Sequence, residues 1–384
     1  MRGHIEKRGK NSYSIVVSLG KDAATGKYKY QWMTVRGTKR DAEKRLAELV
    51  HQIDNGTFIK PGKLTLGEYM AKWLEDYVRP NLAPRTAEGY ESIVRCHLIP
   101  ALGSIPLVQL KPDQIQWYYS DKLSRGRYDG KGALSHTSVL HHHTCLHRAL
   151  RMALRWGLIN RNPADAVTPP HPQRPQMRTM NQEDMTRFLE AAKATSYYVL
   201  FYQALFTGMR RSELLALRWC DVDLLLCQAH VSRTLHQLKT GEIVIGVPKS
   251  AKGRRMISLP PSAALLLQEH RDRQSAQRLA LGIPLKDEDL IFSTLDGKPL
   301  RPNTVTRAWS ALAVRCGLEG LRLHDARHSH ASLMLTQGVH PKIVQERLGH
   351  ATIAVTLDTY SHVAPGLQEA AAKGFDAMVL PSQR

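Results

Sequence analysis

Residues 321–363 read LRLHDARHSHASLMLTQGVHPKIVQERLGHATIAVTLDTYSHV, and the spacing of apolar residues, glycines and histidines in this run decides the fold of the C-terminal half. His324 and Arg327 stand three apart at the start of a predicted helix, which puts them on one face. Gly338 and Pro341 break that helix. A second carries Ile343, Val344 and Leu348 as its apolar stripe and ends at Gly349, just before His350. A third short helix carries Tyr360. Leu333, Leu335, Ile343, Val344, Leu348, Ile353 and Leu357 are expected to pack. His324, Arg327, His350 and Tyr360 are too polar for packing to explain them together, so they are candidate site residues.

Fifty-four Lys and Arg against 34 Asp and Glu leave the 384-residue chain with a formal charge of +20. Such a balance implies a polyanionic partner: DNA, RNA or an anionic membrane. The membrane is the weakest of these, because the longest nearly apolar run, Tyr197 to Phe206, falls well short of the ~18–20 residues a span needs, and no signal-peptide pattern precedes it. Five scattered cysteines, Cys96, Cys145, Cys220, Cys227 and Cys316, suggest reduced thiols in a cytoplasmic protein rather than a disulfide framework.

Residues 1–60 read as a separate small module. Tyr13, Ile15, Val17 and Leu19 alternate with serines and Val16, and beyond Thr25-Gly26 the residues Tyr28, Tyr30 and Trp32 alternate with Lys27, Lys29 and Gln31, which predicts two strands. His4 to Lys7 supplies a third. Thr38 and Asp41 form a capping box for a helix using Ala42, Leu46, Leu49 and Ile53. A small sheet presenting Lys27 and Lys29 on one face is suited to a major groove. A linker around Pro61 leads to residues 64–168, read as helical throughout: a capping box at Thr65 and Glu68, then helices over 84–98, 112–123 and 136–156. Arg125, Arg127 and Lys131 fall in a Gly-rich loop fit for phosphate contacts. The run His141 to His147 offers metal-like spacing, but it lies inside an amphipathic helix with no second ligand cluster, so a solvated or DNA-facing surface is the better reading.

Pro169, Pro170, Pro172 and Pro175 mark a domain boundary. Beyond it, over 176–384, Asn181 caps a helix using Met185, Phe188 and Leu189. The apolar helix before Thr207-Gly208 delivers a turn that exposes Arg210. Residues 228–234, 243–247 and 255–259 are expected to form a small antiparallel sheet, with the cationic turn 248–254 joining the last two. Residues 367–379 read as a docking helix. The fold class is multidomain α+β: a three-stranded sheet with one helix, a four-helix domain, and a mainly helical domain with a small sheet.

HDARH, LGH and TYSHV, in this order and spacing, closely resemble the C-terminal signature of the tyrosine recombinases, the phage integrase family. The family's third motif stands upstream as Thr207-Gly208-Met209-Arg210-Arg211-Ser212-Glu213-Leu214, followed by Leu217-Arg218-Trp219. The resemblance covers most of the chain. It implies an arm-type DNA-binding domain at 1–60, a core-binding (SAM-like) domain at 64–168 and a catalytic domain at 176–384. It also implies that Arg210, His324, Arg327 and His350 surround a nucleophilic Tyr360, with Glu213 orienting the site; His324 and His350 would add donors, or His324 would take the phenolic proton. Lys249 is the candidate general acid, six residues before Arg255, and Lys252 is its competitor. Arg254 and Lys252 are further DNA-binding candidates, and Arg211 reads as a phosphate or salt-bridge residue. His328, His330 and His362 are left with surface or DNA contact. His350 and Tyr360 stand ten apart, where some members have nine.

The chemistry suits these residue types. A phosphodiester resists attack because its oxygens are negative, so guanidiniums must neutralise them, an acid must protonate the leaving oxygen and a nucleophile must be freed. Ionising a tyrosine of ordinary pKa at pH 7 costs about 4 kcal/mol, which the surrounding positive field is expected to offset. The expected enzyme is a site-specific recombinase that integrates, and in reverse excises, a phage or mobile element through a 3′-phosphotyrosine. It would use no metal and no cofactor. Its expected partners are double-stranded core and arm attachment sites, a homotetramer at synapsis, and an excision factor or DNA-bending host protein, on nucleoid DNA. A type IB topoisomerase or an inactive DNA-binding factor is the alternative.

Overall fold

Alternation near the N-terminus produces a three-stranded antiparallel sheet in the order β1 (Gly3–Gly9), β2 (Ser12–Lys21), β3 (Tyr28–Arg36). The structure is a computed structural model that describes residues 3–21, 25–55, 63–127, 130, 132–172, 177–248, 251–360, 372, 375 and 376. It divides into two compact units, Met1–Arg174 and Pro175–Arg384.

In the first unit, Ile15 and Val17 of β2 and Met33 and Val35 of β3 pack on Leu46, Leu49 and Ile53 of helix α1 (Lys39–Asp54). Thr38 caps α1 as expected, its backbone N donating to Asp41 Oδ2 at 2.8 Å. Because side chains alternate across a strand, Tyr28, Tyr30, Trp32 and Arg36 all fall on the opposite, open face. The three aromatics are 58, 56 and 54% exposed. Lys29 alternates instead onto the helix side, so the open face is aromatic rather than the lysine face expected. The reason is register: Met33 and Val35 take the helix, which turns the aromatics outward.

The helical part contains the four predicted helices. The first runs through Leu66–Trp73 and a π turn, Leu74–Val78, and the second through Pro84–Ile93 and another, Val94–Leu98. Pro112–Arg125 and His136–Arg155 complete it around Tyr69, Trp73, Leu98, Tyr118 and Leu146. The histidine run is not a solvated surface: His142 is buried with Nδ1 2.8 Å from the Tyr118 hydroxyl, and His143 Nδ1 lies 2.7 Å from that of Tyr119. Two long amphipathic helices pressed together set these adjacent histidines against successive tyrosines across the seam. Among the described residues no cluster of His, Cys, Asp and Glu could hold a metal ion, and no helix is long and apolar enough to cross a membrane.

The second unit is mainly helical, cored by Phe188, Phe201 and Trp309. The expected sheet is two ladders rather than one. Gln228–Val231 pairs with Arg255–Ser258 and Val222–Asp223, while Thr234–Gln237 pairs with Ile243–Gly246. The predicted strand 228–234 breaks at Ser232-Arg233, and each half finds its own partner. Helices Leu323–Thr336, Pro341–Leu348 and Ile353–Tyr360 follow. Ile343, Ile353 and Leu357, expected to pack, are 54, 38 and 44% exposed. The last helix buries Thr356 and Tyr360, four residues apart, while Ile353, its first residue, and Leu357, at the edge of that face, stay partly in solvent. The expected helix at 367–379 lies outside the described residues apart from 372, 375 and 376.

Candidate active site

Two left-handed glycines bring the site together. The helix Tyr198–Thr207 ends at Gly208, whose φ is +64°, and a Cβ there would meet Leu348 Cδ2 at 2.7 Å and His330 Cδ2 at 2.8 Å. Only glycine fits that conformation and that approach. The chain then places Arg210 at the start of the turn Arg211–Leu214, where its Nη1 donates to Glu213 Oε1 at 2.7 Å and its backbone N to Oε2 at 2.9 Å. Glu213 is buried, and Arg255 Nη2 donates to Oε2 from the other side at 2.9 Å. Burial pushes the Glu213 carboxyl up, but the hydrogen bonds and charges of Arg255 and Arg210 outweigh it and hold it below its ordinary range. Glu213 thus fixes two guanidiniums. Replacing it with alanine leaves Arg255, whose side chain is 7% exposed, without its carboxylate. Removing one partner of such a buried pair costs about 3–5 kcal/mol. Denaturant titration of Glu213→Ala should read a loss of this size.

Arg327 comes from the helix Leu323–Thr336 and is buried. Its Nη1 donates to Gly208 O at 2.8 Å and its Nη2 to Leu348 O at 2.7 Å, joining the two glycine turns. Arg210 Nη2 reaches the next carbonyl, Gly349 O, at 3.5 Å. Gly349 has φ +67°, and a Cβ on it would lie 2.8 Å from Lys252 O. The two candidate arginines therefore converge on consecutive carbonyls. Burial and the charge of Arg210 lower the Arg327 pKa to about 9, which still leaves it protonated at neutral pH.

Tyr360 is 1% exposed. Its hydroxyl lies 2.8 Å from His328 Nδ1, and its ring faces that of His350 at 6.4 Å and 13°, so the ten-residue spacing keeps the two rings parallel. His350 Nδ1 lies 2.9 Å from Thr356 Oγ1, and Gln345 Nε2 donates to His350 O at 2.6 Å. Burial, then Arg327 and Arg210, lower His350 to about 3. His324 is exposed along one side and meets His328 edge to face at 4.9 Å. The protein packed beneath it, then His328 and Arg327, lower it to about 4, so both imidazoles are neutral at pH 7. At Tyr360 burial outweighs the neighbouring cations. Burial pushes the Tyr360 hydroxyl up to about 12, against the pull of Arg327 and Arg210.

Lys252 Nζ donates to Ala351 O at 2.7 Å, beside His350. Lys249, Lys131 and His362 lie outside the described residues. Arg211 donates to Pro302 O and Thr306 Oγ1. Arg254, Lys27, Lys29, Arg125 and Arg127 are exposed, with Arg125 paired to Asp121 at 2.7 Å. His330 is no surface residue. Its Nδ1 lies 2.9 Å from Leu205 O and its Nε2 accepts from Arg347 Nε at 2.9 Å. Sequence reasoning also missed Arg255 and the contact of His328 with Tyr360. The one signal for His328 was its place four residues after His324 on the same helical face.

A cationic cradle around a buried tyrosine, on a mainly helical unit, is suited to chemistry on a phosphodiester. Comparison with known proteins agrees: residues 178–366 match the phage integrase family, and residues 65–123 match the phage integrase N-terminal SAM-like domain. The chain belongs to the phage integrase family, the tyrosine recombinases, enzymes of DNA strand exchange. It is 28% identical over 377 residues to a tyrosine recombinase XerC-like protein of Caldanaerobacter subterraneus subsp. tengcongensis, covering 94% of each chain. Its fold resembles that of the Tn1549 transposon integrase in complex with a circular intermediate DNA (TM-score 0.67, 21% identity, 81% of this chain and 99% of that one). It also resembles a lambda integrase tetramer bound to a Holliday junction (TM-score 0.55, 18% identity, 91% and 95%).

Proposed function

We propose that this protein is the integrase of a phage or mobile element, cutting and rejoining attachment-site DNA through a 3′-phosphotyrosine on Tyr360. The observation that carries the reading is the convergence of Arg210 and Arg327 on the carbonyls of Leu348 and Gly349, with Tyr360 and His350 stacked beside them. Two planar guanidiniums suit the two non-bridging oxygens of a phosphodiester, and neither loses its charge at neutral pH. His324, open on one side, adds a donor. Lys249 protonates the departing 5′-oxygen, with Lys252 as the competing acid.

Because the nucleophile is a tyrosine, the product is still a diester. A 5′-hydroxyl from another strand can attack it with no ATP. Residues 64–168 and 176–384 serve in this reading as core-binding and catalytic domains, and residues 1–60 bind distal arm sites through the exposed Tyr28, Tyr30, Trp32 and Arg36 face and the neighbouring Lys27. As lambda integrase does, the chain works as a tetramer on a junction, on nucleoid DNA, with an excision factor or DNA-bending host protein setting direction. Arginines rather than carboxylate-bound magnesium neutralise the charge, so cleavage of a nicked suicide substrate should proceed at an unchanged rate in excess EDTA. The adduct should then join a 5′-hydroxyl strand from a second duplex. Strict dependence on a divalent ion would move the protein to the metal nucleases, and resealing of the original strand alone would make it a topoisomerase.

A further inference from the structure

We propose that His328, rather than His324, takes the proton from Tyr360 as the tyrosine attacks. The proposal rests on the recombinase reading above. His328 Nδ1 lies 2.8 Å from the Tyr360 hydroxyl, within the range a general base requires, and the two rings sit 5.7 Å apart at 54°. His324, on the same helix four residues earlier, meets His328 edge to face but makes no contact with the tyrosine oxygen among the described residues. His350 faces the tyrosine ring, and its Nδ1 is engaged by Thr356. Of the three imidazoles, His328 alone has a nitrogen on the reacting oxygen.

A tyrosine buried this deeply has no bulk water to take its proton, and burial holds it in the neutral form. Burial also lowers His328 below the ordinary imidazole value, with Asp325 opposing and Arg327 and Arg322 reinforcing, so it is neutral and ready to accept at pH 7. The step balances. The phenolic O–H bond breaks and its proton passes to His328 Nδ1; the phenolate oxygen bonds to phosphorus; the P–O5′ bond breaks and the 5′-oxygen takes a proton from the lysine general acid. In the joining step the incoming 5′-hydroxyl attacks phosphorus and gives its proton to that lysine, now neutral, while the bond from phosphorus to the Tyr360 oxygen breaks and His328 returns its proton to that oxygen. The HDARH motif thereby carries both an anion clamp, Arg327, and the base beside it.

The test is single-turnover adduct formation by the full chain on a nicked suicide substrate, across pH, with DNA binding measured alongside. The groups that face His328 are Arg322, His324, Asp325 and Arg327 of its own helix, with Tyr360 and His350 packed against it. Wild type should rise with pH to a plateau reached below neutrality, as His328 loses its proton. His328→Gln keeps a hydrogen-bonding amide but no base. It should form adduct about 100-fold more slowly at pH 7, rise with hydroxide through the alkaline range and approach wild type there. His324→Gln should keep the low-pH inflection. A His328→Gln profile identical to wild type overturns the proposal, as does slowing by one factor at every pH, or transfer of the inflection to His324→Gln. If His328→Gln loses DNA binding, His328→Ala with added imidazole decides: rescue supports the base and its absence refutes it. Wild type that forms no adduct at all sinks the recombinase reading first, and this proposal with it.

Discussion

Tyr360→Phe is expected to bind its DNA as wild type does and to form no covalent adduct at all. One oxygen is removed, and it is the atom that bonds to phosphorus; the neighbouring Thr356 hydroxyl is held against His350 and has no comparable approach. The cost to folding should be small but measurable. The hydroxyl is buried and bonded to His328, so its loss strands one imidazole nitrogen, at about 1 kcal/mol. A gel assay on a nicked substrate, beside thermal melts of both proteins, separates the two effects. Adduct retained by the variant would mean another nucleophile.

The second large effect is at the arginines, and the structure separates them. Arg327 is buried and holds the carbonyls of Gly208 and Leu348, so Arg327→Ala both unclamps phosphate and leaves two interior acceptors unpaired. Stability should fall by about 3 kcal/mol or more, at 1–3 kcal/mol for each orphaned group, and adduct formation by about 1,000-fold. The Arg210 side chain is 36% exposed, and its partner Glu213 keeps Arg255. Arg210→Ala should therefore slow adduct formation by about 100–1,000-fold with a smaller loss of stability. Equal destabilisation by the two substitutions, measured by denaturant titration, would contradict this division of labour.

Much of this was legible before any coordinates, because local chemistry decides it. Helix ends announce themselves through Thr38, Thr65 and Asn181 at N-termini and through Gly208 and Gly349 at C-termini, where only a residue without Cβ takes the required turn. The recombinase motifs located Arg210, Arg327, His350 and Tyr360. What stayed hidden depended on contacts between distant segments. Arg255 finds Glu213 across 42 residues, through a strand pairing whose register no periodicity reveals. His328 looked like one more surface histidine, since a helical pattern says which residues share a face but not which neighbour covers it. The N-terminal sheet posed the same difficulty: both faces of β3 offer large side chains, and only the packing of Met33 and Val35 on α1 decides that Tyr28, Tyr30 and Trp32 stay open. The burial of Tyr360 was likewise beyond a sequence reading, and it turns the problem of activating the tyrosine from one of field into one of finding a base.

The most direct test of the central claim is to trap the covalent complex of the wild-type chain on a nicked suicide substrate, digest it with protease and nuclease, and map the modified peptide by mass spectrometry. The expected result is a single site, a nucleotide joined through its 3′-phosphate to Tyr360. A phosphate on any other residue, or a 5′-phosphate link, would contradict it.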